Sequence, residues 1–247
     1  MILRRLFDQA RQRDWAAIAI EVALVVVGVF VGMRVNDWNE ERKDRARESA
    51  YLERIAQDVR SDVADMDEII RVSAARMALL NQVLPKASGR PLPDGFDSAR
   101  GRVAIEAVPV YTDRPDSNGF ALFILTPLED NRSAYETLIN AGAIAGMHDL
   151  RALRRIQEYY ASVDKERHFE VTLEQNRDKL VDAQRKLGIS PLNPMGVDEI
   201  SSAFAANPEL LATAQNYWLY TNRHLKLMRS LQAQARDLAA SLERKPR

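Results

Sequence analysis

The sequence predicts an all-α fold, in which a single N-terminal transmembrane helix continues into a long heptad helix and an antiparallel helical bundle follows. Three features predict it: one long apolar stretch, a heptad seam directly after that stretch, and two further long amphipathic segments. The 247 residues are ample for a buried core, and only ten glycines and ten prolines favour helices over a turn-rich β fold. We divide the chain into a short basic tail (1–14), a transmembrane helix (15–38) and an extramembrane bundle (39–247).

The apolar stretch runs from Trp15 to Met33 and contains one charged residue, Glu21. As a helix it rises roughly 28 Å, close to the ~30 Å hydrocarbon thickness of a bilayer. Trp15 and Trp38 bracket it, as expected for aromatic anchors at the two headgroup levels. A cleaved signal peptide and a buried soluble helix are the alternatives, but no small-residue cleavage site follows the stretch. We therefore expect an uncleaved anchor in the lipid bilayer.

The orientation of this predicted anchor depends on its basic flanks. Arginine and lysine residues precede and follow it in nearly equal number, so that their count does not decide the orientation. Residues 1–14 have apolar positions at helical spacing with arginines between them, which is typical of a basic amphipathic helix. Such a tail favours the anionic inner surface of a cytoplasmic membrane. We expect a cytoplasmic N-terminus and a bundle on the outer side.

Glu21, Gly28 and Gly32 share one face of the predicted span. The Gly-x-x-x-Gly spacing allows two helix backbones to approach closely, and a charged residue inside a membrane usually faces protein or water. The three residues are therefore candidate contacts to a partner helix, in a second copy of the chain or in another membrane protein. Two alternatives stay open, because Glu21 lies near enough to the headgroups to be solvated and such glycine pairs also arise by chance.

A heptad seam begins soon after the span, with charged residues at most of the intervening positions. Pro85 and the glycine- and proline-rich stretch 86–95 are predicted to end this helix, which then forms a rod of roughly 70 residues. Whether the seam pairs within the chain or between chains is open at this point. The seam positions are Leu52, Ala56, Val59, Val63, Met66, Ile70, Ser73, Met77, Leu80 and Leu84.

Residues 85–130 form an irregular connector, in which two short apolar runs fit either strands or short buried helices. Two further long amphipathic segments follow the connector. Together with the heptad helix they are most economically arranged as an antiparallel bundle on the membrane anchor. The helices predicted beyond it are residues 131–142, ending at Gly142, residues 148–188, residues 197–206 and residues 208–242.

Two aromatic pairs fall on the two long C-terminal helices: Tyr159 with Tyr160, and Tyr217 with Trp218. These four residues are candidates for lining a small-molecule pocket between helices of the bundle. Aromatic residues at helical spacing more often belong to an ordinary core, so that a small-molecule ligand is the less favoured interpretation.

No catalytic, metal-binding or cofactor-binding residue is predicted. The chain has no cysteine, and no phosphate-binding, dinucleotide-binding, nucleophile-elbow or zinc-protease motif occurs in it. His148, His168 and His224 are far apart and are expected to be solvated, as are acidic pairs such as Asp58 and Asp62. The balance of 35 basic and 35 acidic residues argues against a general nucleic-acid binder.

Two segments carry a family resemblance. Glu21–Gly32 (EVALVVVGVFVG) with Asn36–Arg42 (NDWNEER) resembles the N-terminal signature of a family of uncharacterised bacterial single-pass membrane proteins, although Ile20 stands where that signature has glycine. Ser133–Gly142 (SAYETLINAG) is similar to a second block of the same family. The resemblance implies a bacterial integral membrane protein with a helical extramembrane part, and it implies no activity.

The leading functional hypothesis is a non-enzymatic interaction or scaffolding protein, either oligomeric or accessory to another envelope protein. The second is an extracytoplasmic ligand sensor, which has to signal through a partner because residues 1–14 are too short for an output domain. A membrane-bound hydrolase that uses Asp113, Asp116 or Glu129 is a remote alternative, because no motif supports it.

Overall fold

The structure, a computed structural model, describes residues 2–98, 101–109, 120–192 and 195–243, and of residues 2–19, Ser98 and Phe120 it describes only the backbone. Most of the described chain is helical and its helices pack together, which confirms the predicted helical class. The long helices are α1 (Ile2–Ser88), α4 (Leu150–Lys186) and α6 (Pro208–Leu242). The shorter elements are the strands β1 (Gly95–Ser98) and β2 (Gly101–Ala104), the helices α2 (Phe120–Phe123), α3 (Ser133–Asn140) and α5 (Val197–Ala206), and a 3₁₀ turn at Ala143–Gly146.

Helix α1 is unbroken from Ile2 to Ser88. It ends within the stretch 85–95 where the sequence predicts an end, after passing through Pro85. Proline removes one backbone hydrogen bond from a helix. Because Pro85 lies in the last turn of α1, that loss affects only the end of the helix. The helix ends at Gly89, whose φ of 65° is a left-handed conformation that glycine adopts without strain.

Side-chain caps begin the other two long helices where the sequence predicts them. The Asp149 carboxylate accepts a hydrogen bond from the backbone N–H of Ala152 at 2.8 Å and caps α4. The Asn207 side chain accepts from the N–H of Leu210 at 3.0 Å and caps α6. Pro208 follows at the first helical position, where its fixed φ suits the helix and its missing N–H costs nothing.

Helix α6 lies at the centre of the bundle and contacts both other long helices. Along α1 it runs antiparallel: its His224 lies 3.1 Å from the hydroxyl of Ser73, and its Gln232 donates to the carbonyl of Val63 at 3.3 Å. Its ion pairs and hydrogen bonds with α4 have the same antiparallel order, from Arg155 with Asp237 to Glu170 with His224.

Helices α1 and α4 run parallel, which corrects the expectation that all three long helices alternate in direction. Glu48 accepts a hydrogen bond from the N–H of His148 at 3.1 Å, and Asp62 accepts one from the Tyr159 hydroxyl at 2.7 Å. The connector makes this parallel arrangement possible. It leaves α1 at Gly89 and returns along the bundle to the start of α4, and it takes the place of a fourth helix antiparallel to α1.

The returning connector contains little regular structure of its own. Its strands β1 and β2 form an antiparallel hairpin, which the all-α prediction did not include. After the hairpin, the connector is hydrogen-bonded to α1 at two places. The Arg76 side chain donates to the carbonyl of Ala121, and Asp62 accepts the N–H of Asn131 at 2.7 Å. Side chains of α1 therefore satisfy backbone groups that a helix would have satisfied by itself.

Two hydrophobic clusters form the core, and we name them by their distance from the N-terminal half of α1. Each draws residues from all three long helices. The proximal core includes Ile55, Val59, Met66, Leu138, Ile156, Tyr159, Val163, Met228, Ala235 and Leu238. The distal core includes Met77, Leu80, Leu84, Leu122, Leu173, Leu180, Phe204, Leu210, Tyr217 and Trp218.

The heptad seam of α1 faces the rest of its own chain. Leu52, Val63 and Ile70 are half-buried, and the other seam positions are buried. Helices α5 and α6 cover the seam along its length. The structure thus decides a question that the sequence left open: the seam pairs within one chain.

The apolar side chains between Ile20 and Trp38 are exposed, with Phe30 at 65% and Trp38 at 64% of their full accessible surface. In the described part of the chain, no helix holds a stretch long and apolar enough to cross a membrane. Trp15, with which the predicted span begins, and the next four residues lie outside the described side chains. The span therefore stays a prediction.

Truncation of a distal-core leucine tests the packing of the bundle. Leu80 is fully buried, so Leu80→Ala is expected to lower the free energy of unfolding by about 2–5 kcal/mol through lost apolar burial and a residual cavity. Leu192→Ala is the matched control, because Leu192 is 88% exposed and its truncation is expected to cost less than about 0.5 kcal/mol. Urea unfolding followed by circular dichroism measures both, and equal effects would contradict the fold.

Candidate functional site

A layer of buried polar side chains crosses the bundle between the proximal and distal cores. It consists of Ser73 on α1, Glu166 and Glu170 on α4, and His224 on α6, each at most 6% exposed. On all three helices these residues fall between the segments that supply the two cores. We call them the polar layer. Burial of polar groups is costly unless they are paired, and clustered buried titratable groups are candidates for function.

His224 connects the three helices at this level. Its Nδ1 lies 3.1 Å from the hydroxyl oxygen of Ser73, and its Nε2 lies 3.2 Å from a carboxylate oxygen of Glu170. A carboxylate only accepts hydrogen bonds, so Nε2 carries the proton and Nδ1 accepts from the Ser73 hydroxyl. Glu170 also accepts the backbone N–H of Leu128 at 3.1 Å. Burial lowers the pKa of His224 despite the opposing effect of Glu170, so its ring is neutral at neutral pH.

Glu166 is the member of the polar layer that lacks a partner. Its Oε1 is buried 3.8 Å from Nε2 of His224 and has no hydrogen-bond partner among the described residues. Burial and the neighbouring Glu170 raise the pKa of Glu166 to about 8, while Arg223 on α6 opposes the rise. At neutral pH Glu166 therefore holds a proton, and its contact with the neutral His224 is not an ion pair.

Ser73, His224 and Glu170 are connected in the order of the nucleophile, base and carboxylate of acyl-transfer triads. Such chemistry needs a substrate carbonyl within reach of the serine oxygen. Ser73 is 2% exposed and His224 is 1% exposed, so that a substrate cannot reach either. The arrangement can hold protons and fix the mutual positions of three helices. In the described part of the chain, no group of three or more potential metal-binding side chains is placed to hold an ion.

The residues predicted to lie in a membrane-helix interface occupy the exposed part of α1. Glu21, Gly28 and Gly32 are exposed, and a Cβ atom added at either glycine would meet nothing within 4 Å. This surface is open to a partner. Trp38, predicted as a headgroup anchor, is exposed at the end of the apolar segment, whereas Trp15 lies outside the described side chains.

The structure does not bring the two aromatic pairs together in one pocket. Tyr159 and Tyr160 pack in the proximal core, and the centroids of their rings lie 5.1 Å apart. Tyr217 and Trp218 pack in the distal core, where the Trp218 indole donates to the Asn81 side chain at 2.7 Å. All four are largely buried, which agrees with the alternative that they are core residues.

Asp62 is a buried carboxylate outside the polar layer, and sequence reasoning placed it wrongly on an exposed face. It is fully buried and accepts hydrogen bonds from the Tyr159 hydroxyl and the Asn131 N–H, both at 2.7 Å. Burial raises its pKa to about 6, against the lowering effect of these two bonds. Asp58, its neighbour one turn earlier, is half-buried and accepts the N–H of Ala134 at 2.9 Å.

The polar layer was likewise missed from the sequence, where His224 is expected to be solvated. That expectation is wrong, and a signal for burial was present: His224 lies seven residues after Tyr217 and four before Met228, which is core spacing. Ser73 already occupies a position of the α1 seam. Glu166 and Glu170 share this spacing, because Tyr159, Val163, Glu166, Glu170 and Leu173 follow one another in steps of four and three, but their charge makes them look like ordinary exposed positions of a helix.

Comparison with known protein families gives a match to the N-terminal third of the chain. Residues 21–87 match the model of a family of unknown function, DUF6090. The matched segment joins the exposed apolar part of α1 to its seam, and it is well under half of the chain. It supports the expected resemblance to an uncharacterised family, whereas the bacterial and membrane parts of that expectation stay predictions. Neither a curated protein nor a solved structure matches the chain.

The protonation of Glu166 predicts a pH dependence of stability. Its pKa is about 8 in the folded state against a usual 4.5, so between these values the folded state binds one more proton than the unfolded state, and stability falls as pH rises. Between pH 7 and 8 Asp62, whose pKa is about 6, is ionised in both states, and the unfolded His224, with a usual pKa of 6.5, holds little of its proton, so that Glu166 dominates the slope. We expect the free energy of unfolding to fall by about 1 kcal/mol across that window.

Glu166→Gln keeps the shape of the protonated side chain and is expected to remove this decrease. Glu158→Gln is the matched control, because Glu158 lies on the exposed face of the same helix. Urea unfolding at several pH values between 7 and 8 measures the slope. A slope that survives in Glu166→Gln would assign the effect to another group.

Proposed function

We propose that this chain is a single-pass membrane protein whose helical bundle serves as a non-enzymatic interaction module, with a cytoplasmic N-terminus and the bundle outside the bacterial inner membrane. One observation carries the proposal: the exposed apolar segment from Ile20 to Trp38 and the seam of the bundle belong to the same unbroken helix. A shift or rotation of the apolar segment is therefore transmitted to the core without passing a hinge.

The exposure of the apolar segment supports the membrane part of the proposal. Contiguous apolar patches of this kind are rare on monomeric soluble proteins and mark contacts with membranes or with other proteins. Val25 and Val29 are 62% and 57% exposed near its middle, where a lipid environment would cover them. The basic residues on both sides of the predicted span suit anionic headgroups.

The closed bundle limits how the chain associates. Because the α1 seam is covered within the chain, a rod held together by that seam between chains is disfavoured. The face with Glu21, Gly28 and Gly32 is then the contact left for a second copy or for another envelope protein, since small residues allow close helix packing and a charged residue favours a protein partner.

A ligand-sensing role is the second candidate, and a groove in the bundle favours it. The groove, of about 610 Å³, lies where the end of α1 and the following loop meet α6. Leu84, Pro91, Leu92, Leu211 and Trp218 supply apolar walls, and Asn216 supplies a polar group. A compound that occupies it is expected to raise the melting temperature in a concentration-dependent way.

Charged substitutions in the apolar segment test the anchor. Val25→Lys with Val29→Lys is expected to release the protein from membranes washed with alkaline carbonate, since each lysine at the centre of a span costs about 2.5–3.5 kcal/mol of insertion free energy. Val171→Lys is the matched control, because Val171 is 52% exposed on the bundle and its replacement leaves the anchor intact. Release of the wild-type chain by carbonate would overturn the membrane proposal.

Disulfide crosslinking in membranes tests the contact between chains. The chain has no cysteine, so Gly28→Cys reports on the small-residue face alone and is expected to give dimers if the partner is a second copy. Phe30→Cys, on the opposite face of the helix, is the matched control. Ile70→Cys is expected to give none, and dimers at Ile70 would contradict the closed bundle. A different protein captured at position 28 would identify a heterologous partner instead.

A further inference from the structure

Four buried hydrogen-bond donors lie beside the polar layer, on its distal side, without a partner among the described residues. They are Nη1 of Arg76, Nε of Arg177 and the hydroxyl groups of Tyr217 and Thr221. They come from α1, α4 and α6, the same three helices that form the polar layer. We call these four residues the donor cluster.

The side chains of the donor cluster are close to one another. The guanidinium carbon of Arg76 lies 5.3 Å from the centroid of the Tyr217 ring. Thr221 follows Tyr217 by one turn on the same helix face. Arg76 and Arg177 are both bonded to the short segment around α2, since Arg177 donates to the carbonyl of Phe123 at 3.4 Å and Arg76 donates to carbonyls on either side of it.

Arg76 brings an uncompensated positive charge into this place. Its side chain is fully buried, and a guanidinium stays charged at any pH that proteins tolerate. Its Nε and Nη2 donate to the carbonyl oxygens of Ala121 and Ile124, which are neutral acceptors. Arg76 forms no ion pair with a described carboxylate, whereas Arg177 pairs with Glu174 at 3.1 Å and Asp178 at 2.8 Å.

A buried charge of this kind is costly unless an opposite charge is near. Glu170 in the polar layer forms no ion pair with Arg76, and its oxygens accept from Leu128 and face His224. A water molecule would satisfy the free Nη1 of Arg76 and the Tyr217 hydroxyl, but it would leave the charge in place. Burial raises the pKa of Tyr217, so its hydroxyl keeps its proton and can donate it.

We infer that the donor cluster binds a small monovalent anion, with chloride as its simplest form. Arg76, Arg177 and Tyr217 donate hydrogen bonds to the anion, and its single negative charge balances that of Arg76. The site is largely enclosed, because Arg76 and Tyr217 are both fully buried and the Arg177 side chain is only 21% exposed, and this restricts the ligand to small ions. The inference does not depend on the membrane anchor or on the proposed interaction role.

Chloride dependence of thermal unfolding tests the site in the purified full chain in a nonionic detergent. Sodium chloride replaces sodium gluconate at constant ionic strength, so that general screening is unchanged. Chloride at a few times its dissociation constant is expected to raise the melting temperature by about 2–4 °C, because the anion binds only the folded state. Bromide is expected to act likewise and to give an anomalous scattering peak between Arg76 and Tyr217 in crystals.

Two variants assign the effect to the donor cluster. Arg76→Met removes the charge and fills a similar volume, so that chloride is expected to lose its effect on the melting temperature. Tyr217→Phe keeps the ring and removes one donor, and a several-fold higher chloride concentration is then expected for the same rise. It tests the site even if Arg76→Met does not fold.

The matched controls are Arg71→Met on the exposed face of α1 and Tyr220→Phe, half-buried on α6, which are both expected to respond as the wild type does. Equal melting temperatures in chloride and gluconate would overturn the inference, as would a chloride response that survives in both Arg76→Met and Tyr217→Phe.

Discussion

The packing of α6 along the seam of α1 is the contact on which the rest of the bundle depends. Helix α1 carries an apolar seam that is too long to leave in water, and α6 covers it from the distal core to the proximal core. Helix α4 also packs against α6 and shares both cores with it and with α1. Because α6 is antiparallel to both neighbours, α1 and α4 are parallel, and the chain between them has to return along the whole bundle. The irregular connector provides that return.

The return path explains the buried polar groups of the fold. A connector without long helices exposes backbone N–H and carbonyl groups, and these have to be satisfied by side chains. Asp62 accepts the N–H of Asn131, Glu170 accepts the N–H of Leu128, and Arg76 donates to the carbonyl of Ala121. Buried charges are thus placed where the connector needs partners. Their burial brings a cost in desolvation, which shows as the raised pKa of Asp62 and as the unpartnered Nη1 of Arg76.

The same level of the bundle therefore combines rigidity with titratable groups. His224 ties α1 to α4 through Ser73 and Glu170, while the adjacent Glu166 is poised to lose a proton within the physiological pH range. Helix α1 passes through this level without a break and continues to the exposed apolar segment. A change of charge in the polar layer therefore takes place beside the helix that leads directly out of the bundle.

The sequence by itself determined the helical class, the bounds of α4 and α6 and the buried seam of α1, because these follow from local signals: side-chain caps, glycine stops and apolar spacing. It did not determine the parallel pair of α1 and α4, the hairpin, or the burial of Asp62 and His224. A charged or polar residue at a helical position has the same local propensity whether it faces water or a neighbour. Only the tertiary structure decided which of these residues face the returning connector, because that choice depends on contacts between groups more than forty residues apart in the chain.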